Sequence, residues 1–180
     1  MQSYNGIDFE ELTHIPKINL RGQSNNKDFM TKARKILNTF LPTEPNTGII
    51  NDDTKVMWLS PNEWLVQTLS ENKFNTIFAN LQSTLNPENT AVTDLTENRT
   101  ILNISGHNLY ILLAKFMVID LDQSLRKETA VVQSLFIKVP VLIVRNHKDN
   151  EKPNIDMHTN RSHTNYIFNL LVDGTRNLDF

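Results

Sequence analysis

The chain has 180 residues, of which 39% are hydrophobic and 21% charged, with a formal net charge of -2 and no cysteine. That length can bury a core without disulfides or metal, the composition is that of a globular chain rather than a disordered one, and the near-neutral charge gives no global attraction to nucleic acid or to an anionic membrane. The missing cysteine excludes disulfide scaffolding, thiolate catalysis, iron–sulfur ligation and Cys-based zinc sites together.

The first residues, MQSYNGIDFEELTHIPK, have no basic stretch followed by an apolar run and do not read as a signal peptide. No apolar stretch approaches the roughly 20 residues that span a bilayer. The expectation is a soluble cytoplasmic protein, in which the N-x-S/T matches at Asn98, Asn103 and Asn160 carry no glycan. The first strand expected is Ile18 to Arg21, closed by Gly22. Lys27 to Leu41 reads as a helix, with Phe29, Ala33, Ile36, Leu37 and Phe40 at helical spacing and Pro42 as the stop. Its other face carries Lys27, Lys32, Arg34 and Lys35, which either meet an acidic partner or phosphate or form a solvated face. Thr43 to Asp53 is rich in turn residues. Val56 to Leu59 and Glu63 to Leu69 form a hairpin around Ser60-Pro61-Asn62-Glu63, where Pro presets φ for a type I turn.

Ser70 caps the next helix, whose apolar stripe is Phe74, Ile77, Phe78, Leu81 and Leu85 and which ends at Asn86-Pro87. Thr90 to Leu95 and Thr100 to Ser105 are strands. After Gly106, Leu109, Leu112, Leu113, Phe116 and Met117 mark a third helix. Ala130 to Ile137 and Val139 to Arg145 are β-branched strands, with Pro140 at an edge or a strand start. Asn146 to Pro153 is a charged loop, Ile155 to Thr159 a short strand, and Ser162 opens a last helix over Ile167, Leu170 and Leu171, with Gly174 near its end. The order strand, helix, paired strands, helix occurs twice. It implies an α+β protein of antiparallel strands with helices on one face and argues against a doubly wound nucleotide-binding fold. The domain reading is residues 1-17 as an N-terminal extension, 18-97 as a first half and 98-180 as a second half, together one compact unit.

Residue chemistry offers few reactive constellations. With five glycines, neither G-x-G-x-x-G nor the P-loop pattern occurs. No G-x-S-x-G elbow is present. His158 and His163 flank Arg161 without a carboxylate cluster and make a poor metal site. Asp52 and Asp53 form a carboxylate pair that either does acid–base work, binds a hard cation or starts a solvated turn. The strongest polar cluster is Asp94, Glu97, Asn98 and Arg99. One reading is a structural network in which Asp94 or Glu97 pairs with Arg99 and Asn98 turns the backbone; the other is a ligand pocket or a subunit contact. Trp58 and Trp64 flank the hairpin turn, and tryptophan serves both cores and interfaces. No catalytic, cofactor-binding or metal residue is assigned, and these six residues stand as structural or partner-contact candidates.

Several segments together carry a family resemblance: INLRG at Ile18 to Gly22, PNT at Pro45 to Thr47, WLSPNEWLV at Trp58 to Val66, VTDLTENRTILNISG at Val92 to Gly106, LLAK at Leu112 to Lys115 and VPVLI at Val139 to Ile143. Gln133-Ser134 and Arg161-Ser162 resemble smaller landmarks. WLSPNEWLV and DLTENRT are the specific ones. The chain resembles the gamma subunit of heterotetrameric sarcosine oxidase over Ile18 to Val172. The resemblance implies a fold like the folate-binding part of glycine-cleavage aminomethyltransferase. It implies alpha, beta and delta subunits as partners and no membrane or nucleic acid. It also implies a complex that converts sarcosine, oxygen and tetrahydrofolate to glycine, hydrogen peroxide and methylene-tetrahydrofolate. FAD, FMN, NAD, zinc and tetrahydrofolate would belong to the other subunits, with none in this chain, which would be accessory and packed on alpha. Glycine-cleavage relatives carry acidic residues at a hairpin where this chain has Lys138-Val139-Pro140-Val141, which counts against the alternative of a stand-alone folate-binding aminomethyltransferase-like protein.

Overall fold

The computed structural model describes residues 1–51, 54–176 and 178; Asp52 and Asp53, the carboxylate pair of the turn-rich segment, lie outside the described residues. Along the chain the elements are β1 (Gln2–Tyr4), β2 (Ile7–Leu12), β3 (Lys17–Arg21), α1 (Lys27–Leu37), β4 (Gly48–Ile50), β5 (Thr54–Ser60), β6 (Glu63–Thr68), α2 (Glu71–Thr84) and β7 (Ala91–Asp94). They continue with β8 (Arg99–Gly106), α3 (Leu109–Ala114), α4 (Leu121–Ser124), β9 (Val131–Phe136), β10 (Val139–Arg145), β11 (Asn154–Asn160), a 3-10 turn at Arg161–His163 and α5 (Thr164–Gly174). The fold is α+β, with two antiparallel sheets. Among the described residues no helix is long and apolar enough to cross a membrane.

The unit His14–Glu97 holds a five-stranded sheet in the order β4-β5-β6-β3-β7. Register sets its core. Ile18 faces Val66, Leu20 faces Trp64 and Val56 faces Val66, so these side chains share one face. There they meet Phe29, Ala33 and Leu37 of α1 and Phe74, Ile77 and Leu81 of α2. Each fully buried aliphatic or aromatic side chain adds about 1.5–3 kcal/mol. Met57 and Leu65, paired with each other on the opposite face, are also buried. A sheet buried on both faces shows apolar runs instead of strict alternation, as WLV at 64–66 does.

Helix ends follow their caps. Asn26 accepts from the backbone N–H of Asp28 and Phe29 at the start of α1, and Asn38, left-handed at φ 52, ends it. The helix therefore stops before the expected Leu41, and Phe40 leaves the apolar stripe for solvent, 56% exposed. Ser70 accepts from the Lys73 N–H and starts α2 as expected. The hairpin β5–β6 turns at Pro61-Asn62, with Trp58 opposite Trp64 and a bulge between Trp58 and Ser60.

The second unit, Met1–Thr13 with Asn98–Phe180, has a six-stranded sheet in the order β1-β2-β8-β11-β10-β9. The segment read as an extension supplies two strands: β2 pairs with β8 from Ile7↔Gly106 to Leu12↔Ile101, and β1 folds back on β2 through Asn5-Gly6. The row Leu102, Met157, Ile143, Val132 crosses four strands in register and packs with Leu109, Leu112 and Leu113 of α3 and Ile167 and Leu171 of α5. The helix expected through Met117 ends at Ala114, and a further short helix, α4, follows with Asp120 capping it through the Gln123 N–H. The short strand expected at Ile155 to Thr159 is β11, in the interior of the sheet. Pro140 sits at the start of β10, which pairs with β9 there while its ladder with β11 begins only at Leu142, so its missing N–H disrupts no inner pairing. Ser162 lies in the 3-10 turn, and α5 begins two residues later without a side-chain cap.

Candidate functional site

The polar run that follows β7 is built from local geometry. The Asp94 carboxylate accepts the Thr96 N–H at 2.8 Å, a short Asx turn. The Thr96 hydroxyl accepts the Lys17 N–H at 3.1 Å, and the Leu95 N–H donates to the Lys17 carbonyl at 2.9 Å. The turn thus leaves the sheet while its backbone groups stay paired with β3. Glu97 faces His14 at 3.6 Å, both side chains being largely exposed, a geometry worth little in water.

The four residues of the polar run line different cavities or bond to different elements. Asp94 and Glu97 belong to the unit His14–Glu97, and Asn98 and Arg99 to the other. Asp94 and Glu97 line a cavity of about 310 Å³ together with His14, Glu71, Phe74 and Thr96. Arg99 lines a smaller one of about 130 Å³ with Gln133, Ser134, Pro140, Leu142 and His158. The Asn98 carbonyl accepts the Arg161 N–H at 3.0 Å, so its backbone ties the start of β8 to the 3-10 turn.

The second cavity gathers residues that stand far apart in the chain. Arg99 lies opposite Asn160, and Leu142 opposite both His158 and Gln133, so strand pairing places the guanidinium, the imidazole and the amide along one sheet face. His158 is buried on an inner strand. Two residues earlier in β11, Asp156 is buried as well and accepts the Asn103 side-chain N–H at 2.8 Å, while the same amide donates to the Asn154 side-chain oxygen at 2.8 Å. A buried carboxylate requires such donors. Asn103, the one polar residue inside ILNI, is the sequence signal that could have found this knot. His14 and Glu71 gave no comparable signal, because they join Asp94 at the cavity from separate elements, the loop before β3 and the start of α2.

The tryptophans differ despite facing each other. Trp64 is fully buried, its indole N–H donates to the Pro42 carbonyl at 2.7 Å, and its ring lies 5.7 Å from that of Phe29. Trp58 is half-buried, and its buried indole N–H has no acceptor among the described residues.

Elsewhere, buried Arg145 donates to the carbonyls of Leu125 at 3.1 Å, Arg126 at 2.6 Å and His147 at 2.9 Å and pairs with Asp149 at 2.6 Å, fixing the charged loop after β10. Burial pushes the Tyr110 phenol up from its ordinary pKa. Among the described residues, no group of three or more His, Asp or Glu side chains is placed to hold a metal ion.

The model of the sarcosine oxidase, gamma subunit family matches residues 21–177. No curated protein matches the chain by sequence. Among solved structures, the chain is similar to a chain of heterotetrameric sarcosine oxidase from Corynebacterium sp. U-96 in complex with pyrrole 2-carboxylate, with 19% identity and a TM-score of 0.86 over 99% of this chain and 88% of that one. It is also similar to glycine cleavage system aminomethyltransferase T from Bartonella henselae, with 14% identity and a TM-score of 0.64 over 94% of this chain, which spans 46% of that one. At these identities both likenesses speak to the fold.

Proposed function

This chain belongs to the sarcosine oxidase gamma subunit family, and from that premise we propose that it serves as the accessory, non-catalytic subunit of a heterotetrameric sarcosine oxidase. The observation that carries the reading is the extent of the family match, 21–177, which runs through both units and includes WLSPNEWLV and DLTENRT. The proposed assembly is cytoplasmic. It combines this chain with alpha, beta and delta subunits and converts sarcosine, oxygen and tetrahydrofolate to glycine, hydrogen peroxide and methylene-tetrahydrofolate. FAD, FMN, NAD, zinc and tetrahydrofolate belong to the other subunits in this reading, and the chain packs on alpha.

Trp58, Trp64, Asp94, Glu97, Asn98 and Arg99 then act as structural or partner-contact residues. Trp64, Asp94 and Asn98 are spent on internal bonds. Trp58 is the contact candidate among them, since an acceptor on a neighbouring subunit would satisfy its indole N–H.

A stand-alone folate-binding protein is the second reading, and one observation weighs against it. The hairpin tip Ile137-Lys138 with Val139, Pro140 and Val141 offers no carboxylate to a pterin. Calorimetry of the isolated chain with tetrahydrofolate separates the readings. The subunit reading expects no binding heat at millimolar ligand, whereas micromolar binding would replace it with the second. The isolated chain is also expected to leave sarcosine unoxidised.

A further inference from the structure

Helix α1 has two unlike faces. Phe29, Ala33 and Leu37 are buried in the core. Thr31, Arg34, Lys35 and Asn38, spaced as neighbours on the opposite side, line an open surface depression of about 610 Å³ with Phe40. The Phe40 ring is 56% exposed, and the Arg34 guanidinium lies 3.7 Å from its centroid. Asp28 holds Lys32 at 2.7 Å; among the described residues neither Arg34 nor Lys35 has an ion-pair partner.

Cations in the last turn of a helix offset the partial negative charge of its C-terminus. That accounts for Arg34 and Lys35 and leaves the ring unexplained. The left-handed Asn38 directs the chain so that Phe40 stands out of the helical stripe, and the stacked guanidinium keeps it there. Phe and Arg are both enriched at protein interfaces relative to the rest of the surface. Charge names the complement: α1 carries four cations against one carboxylate, on a chain whose net charge is -2, so the positive potential is concentrated on this helix. We infer that the Arg34–Lys35–Phe40 face of α1 docks a neighbouring subunit of the assembly, through an acidic patch that sets an apolar side chain against the Phe40 ring. The inference rests on the subunit reading and names the face that reading leaves open.

The test co-expresses the four-subunit complex with the wild-type chain, the double variant Arg34→Glu/Lys35→Glu, Phe40→Ser, or Lys127→Glu, an exposed residue of the other unit, as a charge control. Analytical ultracentrifugation over a series of NaCl concentrations then measures retention of the chain. The wild-type complex loosens with rising salt, the double variant is held about tenfold more weakly or worse with a flatter salt dependence, and Phe40→Ser is weakened about tenfold with the salt dependence intact. Lys127→Glu is unchanged, and the melting curves of all isolated chains coincide, since the altered side chains are exposed. Retention of both α1 variants at wild-type strength overturns the inference and leaves the subunit reading standing. A wild-type chain that never enters the complex overturns both. Equally tight binding of the wild-type chain to duplex DNA or to phosphatidylserine vesicles, lost in the double variant, would assign the face to another class of partner.

Discussion

The two units are built from similar parts and closed in different ways. In the unit His14–Glu97 the chain is continuous, and the central hairpin β5–β6 turns over two residues. In the other, β8 is flanked by β2 from the beginning of the chain and by β11 from near its end. The first unit has a local hairpin at its centre and one long-range ladder, β3 with β7, about seventy residues apart; in the second, β2 pairs with β8 across about ninety residues or more, and the loop-closure cost must be repaid by burial. Ile7 and Phe9, both fully buried in that core, provide the repayment on the N-terminal side.

Removing residues 1–12 is the strongest test of that contrast. It strips β1 and β2 from the six-stranded sheet and is expected to abolish cooperative melting of that unit, read by circular dichroism; an unchanged transition would show that the N-terminal strands are ornaments. Trp64→Ala, in the locally closed unit, removes a packed ring and its bond to Pro42 and is expected to cost about 3–5 kcal/mol in urea unfolding. Trp58→Phe, directly across the hairpin, removes a donor that has no acceptor among the described residues and should stay within about 0.5 kcal/mol of the wild type. Equal losses at the two positions would break the assignment of one to the core and the other to a contact.

Gly106→Ala probes the seam between β2 and β8. A Cβ there would stand 2.7 Å from the Gly6 carbonyl oxygen and 2.5 Å from the Ile7 Cδ1, so a loss of about 1–3 kcal/mol is expected from overpacking. The smallest effect concerns Asp8. Its hydrogen bond from Lys152, at 2.7 Å, and then one from Ser3 hold its carboxyl below the ordinary carboxylate pKa. A carboxylate depressed in the folded state adds stability above its unfolded pKa and loses it as pH falls through the folded value. Lys152→Met should therefore slightly flatten the stability loss below about pH 4, measured by urea unfolding at several pH values; a steeper loss would reverse the sign.

Much of this was legible because it is local. The cap at Ser70, the Pro61-Asn62 turn and the apolar stripes announce α1, α2 and the hairpin. The end of α1 was written in Asn38, a residue that accepts the left-handed conformation, yet Pro42 drew the boundary further on. Asn5-Gly6 is a strong hairpin signal; it was masked because Gln2-Ser3-Tyr4 lacks the flanking alternation that identifies a strand. The candidate sites were less legible. Asp94, Glu97 and Arg99 are near neighbours in sequence and line two different cavities, while Arg99, Gln133 and His158 are brought together only by register across four strands. No local pattern encodes such a row.

As proposed, this chain belongs in the complex and does none of its chemistry. The most direct measurement is sarcosine-dependent oxygen uptake by complexes purified after co-expression with and without this chain, with native mass spectrometry reporting composition. The account predicts that the chain is present in the assembled active enzyme, that its omission lowers the yield or stability of the assembly, and that the chain alone consumes no oxygen. A stable and fully active enzyme that assembles while excluding this chain would contradict it.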